Sequence, residues 1–258
     1  MSELLQVATE AAREAGKFLK ESVGKVKTVE AKSGEVRNLV SEIDRGSEER
    51  IIRHIKTRFP DHSILAEESG GNMGSADYRW IIDPLDGTTN FLHGVPIFCV
   101  TIGVERKGEI VAGVVYDPNG GEQFTAEKGR GAYLNGQRIS VSRSSELINS
   151  LIVTGFPYDL AAHPRVAEYF VRFLNASRGL RRLGSAALDL AYVAAGRFDG
   201  YWENVLQPWD MAAGVLLVEE AGGRISDFDG KHTSVYQKQV LASNGTIHDE
   251  MVRVLSGR

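Results

Sequence analysis

The chain has 258 residues, 34 acidic and 30 basic, giving a formal charge of −4, and 42% of its residues are hydrophobic. That length suits one large domain or two packed subdomains with a substantial core. The acidic balance supplies no long-range attraction for nucleic acid or an anionic membrane, so a small anionic ligand needs local positive charge from side chains or metal.

The opening MSELLQVATEAAREAGKFLK carries Glu3, Glu10 and Glu14 and lacks an apolar run of signal-peptide length. Leu4, Ala8, Ala11, Ala12, Ala15 and Leu19 share one face, which predicts a helix over about 3–21 that ends before Gly24. Residues 30–38 are polar and read as a mobile loop. A second helix is expected over 42–58 with Ile51, Ile52 and Ile55 inward, and Pro60 closes that region. SILAEE at 63–68 starts as a strand and ends in two carboxylates; 70–77 reads as loop; RWIIDP is another short strand ending at an aspartate. Segments 97–105 and 109–117 alternate as a strand pair around a Lys107-Gly108 hairpin turn. EQFTAE and AYLNGQ extend that antiparallel pattern to about 134.

A polar stretch at 137–148 predicts a boundary, giving an N-terminal α+β subdomain over 1–140 and a C-terminal α/β subdomain over 141–258. In the second half LIVTG, LRRL, FDGYWE and QVLAS read as strands, and 163–175, 185–196, 209–221 and 246–255 as helices. Helices layered over extensive sheet are the simplest burial for this mixture of periods, a mixed α/β class. No run reaches the roughly 18 apolar residues of a spanning helix. Cys99 is the only cysteine, which excludes an internal disulfide and CxxC chemistry, fits a reducing cytoplasm, and reads as a buried small hydrophobe.

WIIDPLDGTTNFLHG at 80–94 carries the most chemistry. Asp83 and Asp86 flank a proline-directed turn and can converge on one hard cation, with the Leu85 carbonyl beside them. Gly87 permits tight geometry, and the amides after it can begin a helix and hold phosphate. The plainer reading is that Asp86-Gly87 is a turn and Asp83 a cap. Glu67 and Glu68 also follow an apolar strand, and Asp210 follows Pro208-Trp209 at a helix start, where capping alone explains an acid. Acids at several element ends suggest a cation-filled cleft.

AEES at 66–69, WIIDPLDGTTNF at 80–91 and QPWDMAAG at 207–214, with VRNLVSEID at 36–44, GSAALDL, YWE and EAGG in the same order, resemble the inositol monophosphatase family of Mg²⁺-dependent, lithium-sensitive phosphatases over essentially the whole chain. The resemblance implies a layered αβαβα sugar-phosphatase fold and a homodimer. It implies that Glu67, Asp83 and the Leu85 carbonyl surround a metal that activates water, and that Asp83, Asp86 and Asp210 surround a second. A third, weaker metal near Glu67 is also implied, with Mn²⁺ able to substitute for Mg²⁺. Gly87 and Thr88 amides would hold phosphate oxygens, and the Thr88 hydroxyl with Asp44 would orient the nucleophilic water. Glu203 would bind a substrate hydroxyl, with Ser185, Ala186 and Asp210 beside it and Asp189 as a structural neighbour.

Other residues keep two readings. Asp44 by itself suits a solvated helical acid; Glu68 suits charged surface or a place behind the ligands. Lys32 suits an exposed loop or an anion contact. Arg178, Arg181 and Arg182 suit phosphate contact, dimer contact or plain basic surface. His93 reads as structural. Asn38, Ser41, Ala66 and Gln207 depart from, or vary within, the family pattern without removing an expected ligand.

The expected reaction is in-line hydrolysis of a small phosphorylated polyol or sugar, myo-inositol monophosphate foremost. Fructose 1,6-bisphosphate and histidinol phosphate are alternatives, as is a regulatory interaction protein on the same fold. The chain has no GxSxG elbow, CxxxxxR loop or Walker A motif, and its six histidines are dispersed. Membrane and nucleic-acid partners are not expected, since no basic–aromatic stripe is present.

Overall fold

The computed structural model describes residues 1–31, 39–71 and 76–257, so Lys32 and Asn38 lie outside the described residues. In chain order the first elements are α1 (Glu3–Ser22), β1 (Val29–Ala31), β2 (Leu39–Ser41), α2 (Glu42–Arg58), β3 (Ser63–Ala66), β4 (Gly70–Gly71), β5 (Tyr78–Asp86) and α3 (Thr88–Leu92). A meander follows: β6 (Cys99–Arg106), β7 (Glu109–Asp117), β8 (Glu122–Glu127), β9 (Gly131–Leu134) and β10 (Gln137–Arg138). The second half holds β11 (Leu151–Thr154), α4 (Arg165–Ala176), β12 (Gly179–Arg181), α5 (Ala186–Ala194) and β13 (Gly200–Asn204). It ends with α6 (Pro208–Glu220), β14 (Arg224–Ser226), β15 (Gln239–Ser243) and α7 (His248–Ser256).

An eight-stranded sheet runs β10-β9-β8-β7-β6-β5-β3-β4, and a five-stranded sheet runs β12-β11-β13-β15-β14. Side-chain alternation on strands gives each sheet two faces to bury. Trp80, Ile82, Val100, Ile102 and Val104 pack with Ala8, Ala12, Leu19, Ile51 and Ile55 of α1 and α2. Ile81, Cys99 and Val115 on the opposite face pack with Leu188, Ala191, Ala212, Ala213 and Leu217 of α5 and α6, which also contact Val153 and Tyr201 of the second sheet. Beyond that sheet, Trp202 and Leu241 pack with Phe173 of α4 and Met251 of α7. The layers are therefore α1/α2, sheet, α5/α6, sheet, α4/α7, the expected mixed α/β order.

Two glycines set how closely α6 approaches the larger sheet. A Cβ on Gly103 would lie 2.6 Å from Ala212 Cβ, and one on Gly113 would lie 2.9 Å from the Cα of Ala213. The Lys107-Gly108 turn has positive φ at both residues, 52° and 87°, as a twisted two-residue hairpin requires. The structure adds β1, which runs into the stretch expected as loop, and pairs it with β2; it places β4 at the start of the 70–77 stretch also expected as loop, extends β5 through Pro84 to Asp86, and adds β14.

Candidate active site

Three positions separate Asp83 from Asp86, so a regular strand would point them to opposite faces. The β5–β6 register shifts between them: Asp83 pairs with Thr101 and Asp86 with Cys99. Three steps on one strand match two on the other, which is one extra residue, a bulge at Pro84. The bulge returns both aspartates to the face that Cys99 shares with α5 and α6. β3 runs parallel to β5 with Ala66 opposite Ile82, and the Glu67 amide donates to the Ile82 carbonyl at 3.1 Å. Glu67 thereby reaches Asp83, to which its side chain is hydrogen-bonded.

Local donors hold each acid. Asp83 Oδ1 accepts from the Leu85 amide at 2.9 Å, and Asp86 Oδ2 accepts from the Ser185 hydroxyl at 2.7 Å and the Ala187 amide at 2.8 Å. Asp210 caps α6, its Oδ2 accepting from the Gln207 amide at 2.7 Å. The capping role expected for Asp210 and its place on the shared cavity coexist. Asp44 is not a solvated acid: it is 1% exposed. Its Oδ2 accepts from the Ser41 amide at 2.8 Å and hydroxyl at 2.5 Å, forming the capping box of α2. Its Oδ1 faces the Thr88 hydroxyl at 3.0 Å, and the Leu85 carbonyl lies 3.2 Å from that same hydroxyl.

Gly87 precedes α3 with φ 99°, and a Cβ there would meet the Ile97 carbonyl oxygen at 2.9 Å. Only glycine allows the chain to turn so tightly under Ile97. Asn90 stitches this turn to the second half, donating to the Ile97 carbonyl at 2.8 Å and the Leu183 carbonyl at 2.9 Å.

A cavity of about 750 Å³ is lined by Glu67, Asp83, Leu85, Asp86, Gly87, Thr88, Ser185, Ala186, Glu203 and Asp210. Asp44 sits behind Thr88. Asp189, Arg182, His163 and Tyr158 also line the cavity; His93 is exposed. Among the three expected arginines only Arg182 faces it: Arg178 bonds Asn149 at 3.1 Å and Arg181 bonds the Leu180 carbonyl at 3.1 Å. Glu203 is buried on β13, and Tyr201 donates its hydroxyl to Oε2 at 2.7 Å. Both carboxyl oxygens of Asp189 are buried without a hydrogen-bond partner.

Crowded acids in a low-dielectric cleft resist ionisation. Burial, then the charges of Glu67, Asp86 and Asp210, holds Asp83 well above the usual carboxylate range. Burial likewise raises Asp210, with Glu67 and Asp86 adding to it. Asp86 is pushed up to about 6 by burial, against its bonds from Ser185 and Ala187. Glu203 reaches about 7, chiefly through burial, with Tyr201 and Arg182 opposing. Asp44 is raised by burial and partly restrained by Ser41.

The donors on this cleft are carboxylates and a carbonyl, the oxygen set that hard divalent cations take. A cation would relieve the mutual repulsion. Among the described residues no three His, Cys, Asp or Glu side chains already close into a metal cage. The acids are turned instead to the local donors above.

Sequence reasoning passed over Ser47 and Glu48. Ser47 donates to the Pro84 carbonyl at 2.8 Å, and buried Glu48 accepts from the Glu68 and Ser69 amides at 2.8 and 2.9 Å. They brace the turns that carry Asp83 and Glu67. The signal was present: positions 44, 47 and 48 share one helical face. Glu68 accordingly contributes its backbone to this brace.

The chain matches the model of the inositol monophosphatase family over residues 1–257. It is 43% identical over 258 residues to an inositol-1-monophosphatase of Mesorhizobium japonicum, covering 98% of this chain and 96% of that one. It is 44% identical over 250 residues to the Nus factor SuhB of Pseudomonas aeruginosa, covering 95% and 92%. The crystal structure of the extragenic suppressor protein suhB from Bartonella henselae superposes with a TM-score of 0.94 at 43% identity, covering 98% of each chain. Family model, near-full-length relatives and layered fold agree, and the chain belongs to the inositol monophosphatase family of the lithium-sensitive phosphatases.

Proposed function

We propose that this chain hydrolyses small phosphomonoesters of polyols with Mg²⁺, myo-inositol monophosphate being the leading substrate. The observation that carries this reading is one cavity with Glu67, Asp83, the Leu85 carbonyl, Asp86 and Asp210 on one side and Glu203 on another. Glu67, Asp83 and the Leu85 carbonyl would hold one cation, and Asp83, Asp86 and Asp210 a second, with a weaker third near Glu67. When bound, such cations neutralise phosphoryl charge, acidify a water and assist the leaving alkoxide; Mn²⁺ suits the same donors.

The protein's own groups do the positioning. The Gly87 and Thr88 amides direct N–H groups towards phosphoryl oxygens. Asp44 fixes the Thr88 hydroxyl, so that its oxygen can take a hydrogen bond from the attacking water and orient it. Glu203 accepts a hydroxyl of the leaving polyol, and Ser185 and Ala186 shape the wall beside it. Lithium inhibition, a homodimer and a cytoplasmic location belong to the same proposal. Membrane and nucleic-acid partners are not part of that proposal. Among the described residues no helix is long and apolar enough to cross a membrane.

A substrate panel in Mg²⁺ tests the reading. Inositol 1-phosphate should show the highest kcat/KM; a much higher value for fructose 1,6-bisphosphate or histidinol phosphate would replace it as substrate. The Nus factor name of one relative favours a second, regulatory interaction role. Asp83→Asn should then abolish phosphate release and leave partner binding intact.

A further inference from the structure

Gly155 immediately follows β11, which runs parallel to β13 with Thr154 opposite Trp202. The next register step sets residue 155 beside Glu203. A Cβ on Gly155 would lie 2.0 Å from Glu203 Oε2, and 2.2 Å from both Cδ and Oε1. All three carboxyl atoms thus occupy the space that any side chain at 155 would take. Gly155 has no positive φ, so its backbone suits alanine as well as glycine. The need for glycine here comes from the carboxylate.

Glu203 Oε2 also accepts from the Tyr201 hydroxyl at 2.7 Å. Gly155 and Glu203 both line the cavity. The carboxylate therefore rests in the space that glycine leaves at 155 and is held by a phenol, with the hydrogen-bonding capacity that Tyr201 leaves unused available to a ligand.

We propose that Gly155 is the specificity-determining residue for the leaving group: by carrying no side chain it lets the Glu203 carboxylate fold onto the end of β11, where it reads a polyol hydroxyl. This rests on the reading of Glu203 as the hydroxyl acceptor. The three atoms that a methyl group at 155 would meet most closely all belong to the far end of the Glu203 side chain. The metal-site carboxylates and the phosphate amides stand on other elements. The loss should therefore fall on discrimination between leaving groups.

The test compares wild type, Gly155→Ala, Glu203→Ala and the double variant in saturating Mg²⁺. The readout is the kcat/KM ratio for inositol 1-phosphate over p-nitrophenyl phosphate, whose leaving group has no polyol hydroxyls. Losing a hydrogen bond to a carboxylate lowers that ratio about tenfold or more in each single variant. The double variant should be no worse than Glu203→Ala, because the methyl then has no carboxylate to displace. Thermal midpoints give the same cycle without substrate: Gly155→Ala should lower the midpoint of wild type and leave that of Glu203→Ala unchanged. An unchanged ratio in Gly155→Ala, independent multiplying losses, or an equal midpoint loss from Gly155→Ala in the wild-type and Glu203→Ala backgrounds would overturn the inference. If wild type cleaves p-nitrophenyl phosphate and not inositol 1-phosphate, the choice of substrate fails by itself. The same ratio is then taken with the polyol phosphate that the panel shows is cleaved.

Discussion

The hydroxyl of Thr88 lies 3.0 Å from Oδ1 of Asp44, joining the first turn of α2 to the first residue of α3. The other oxygen of Asp44 is committed to capping α2 through Ser41, so the acid cannot swing away. Asp44→Asn and Thr88→Ala should each lower kcat by about 10²–10⁴-fold with a smaller change in KM. The double variant should be no worse than the poorer single one, because the two act as a unit. Steady-state rates in saturating Mg²⁺ decide; losses that multiply would separate the two residues.

Mutual repulsion among Asp83, Asp86, Asp210 and Glu67 makes the cation-free cleft costly. Wild type should therefore melt higher as Mg²⁺ is added, by about 2.7 kcal/mol at a hundredfold excess over Kd. Asp83→Asn and Asp210→Asn should melt no lower than wild type without Mg²⁺, gain little from it, and lose phosphate release. Melting curves with and without the ion check this. An equal Mg²⁺ gain in the variants would place the ion elsewhere.

Glu203 is raised from 4.5 to about 7, and Asp86 from 3.8 to about 6. Between each pair of values the folded chain retains a proton that the unfolded chain has released, so rising pH favours unfolding. Mg²⁺-free stability should fall as pH rises from about 4 to about 7. Each group contributes on the order of 3 kcal/mol at most. Glu203→Gln should flatten the upper part of the fall. Urea midpoints across that range measure it; a rise in stability over this window would show that burial does not keep these groups protonated.

Asp189 is 1% exposed with neither carboxyl oxygen paired, and burial followed by the Glu203 charge raises it well above the ordinary range. Asp189→Asn removes the option of an unpaired charge. It should stabilise the protein by about 1 kcal/mol at pH 8 and by less at pH 5, because the cost of burying this carboxyl grows as pH rises above the ordinary carboxylate range. Urea denaturation at the two pH values reads the difference. A loss at both would show that the carboxyl holds the fold together.

Much of the site was legible because its chemistry is local. Asp83 and Asp86 sit in one short turn, Asp210 follows a proline that starts a helix, and Glu67 ends a strand. What escaped depends on register between distant segments. The bulge at Pro84 decides that Asp83 and Asp86 share a face. The parallel pairing of β11 with β13 brings Gly155 against Glu203. Burial of Asp44 depends on α2 meeting the turn at Thr88, and nothing in the polar run around Asp44 announces it. β14 escaped because three residues give too little alternation to read, and the β1–β2 pair because each of its strands is also only three residues long.

The close seating of α6 on Gly103 and Gly113 would also bear on ion choice. Under the proposed assignment Asp83 and Asp86 belong to the sheet and Asp210 to the helix above it, so an ion they share is gripped across two layers. The gap between layers then acts as a calliper for cationic radius. Replacing Gly113 with alanine wedges a methyl group against the Ala213 backbone and opens the jaws. The same carboxylates should then favour a wider ion such as Ca²⁺ over Mg²⁺, with no ligand changed.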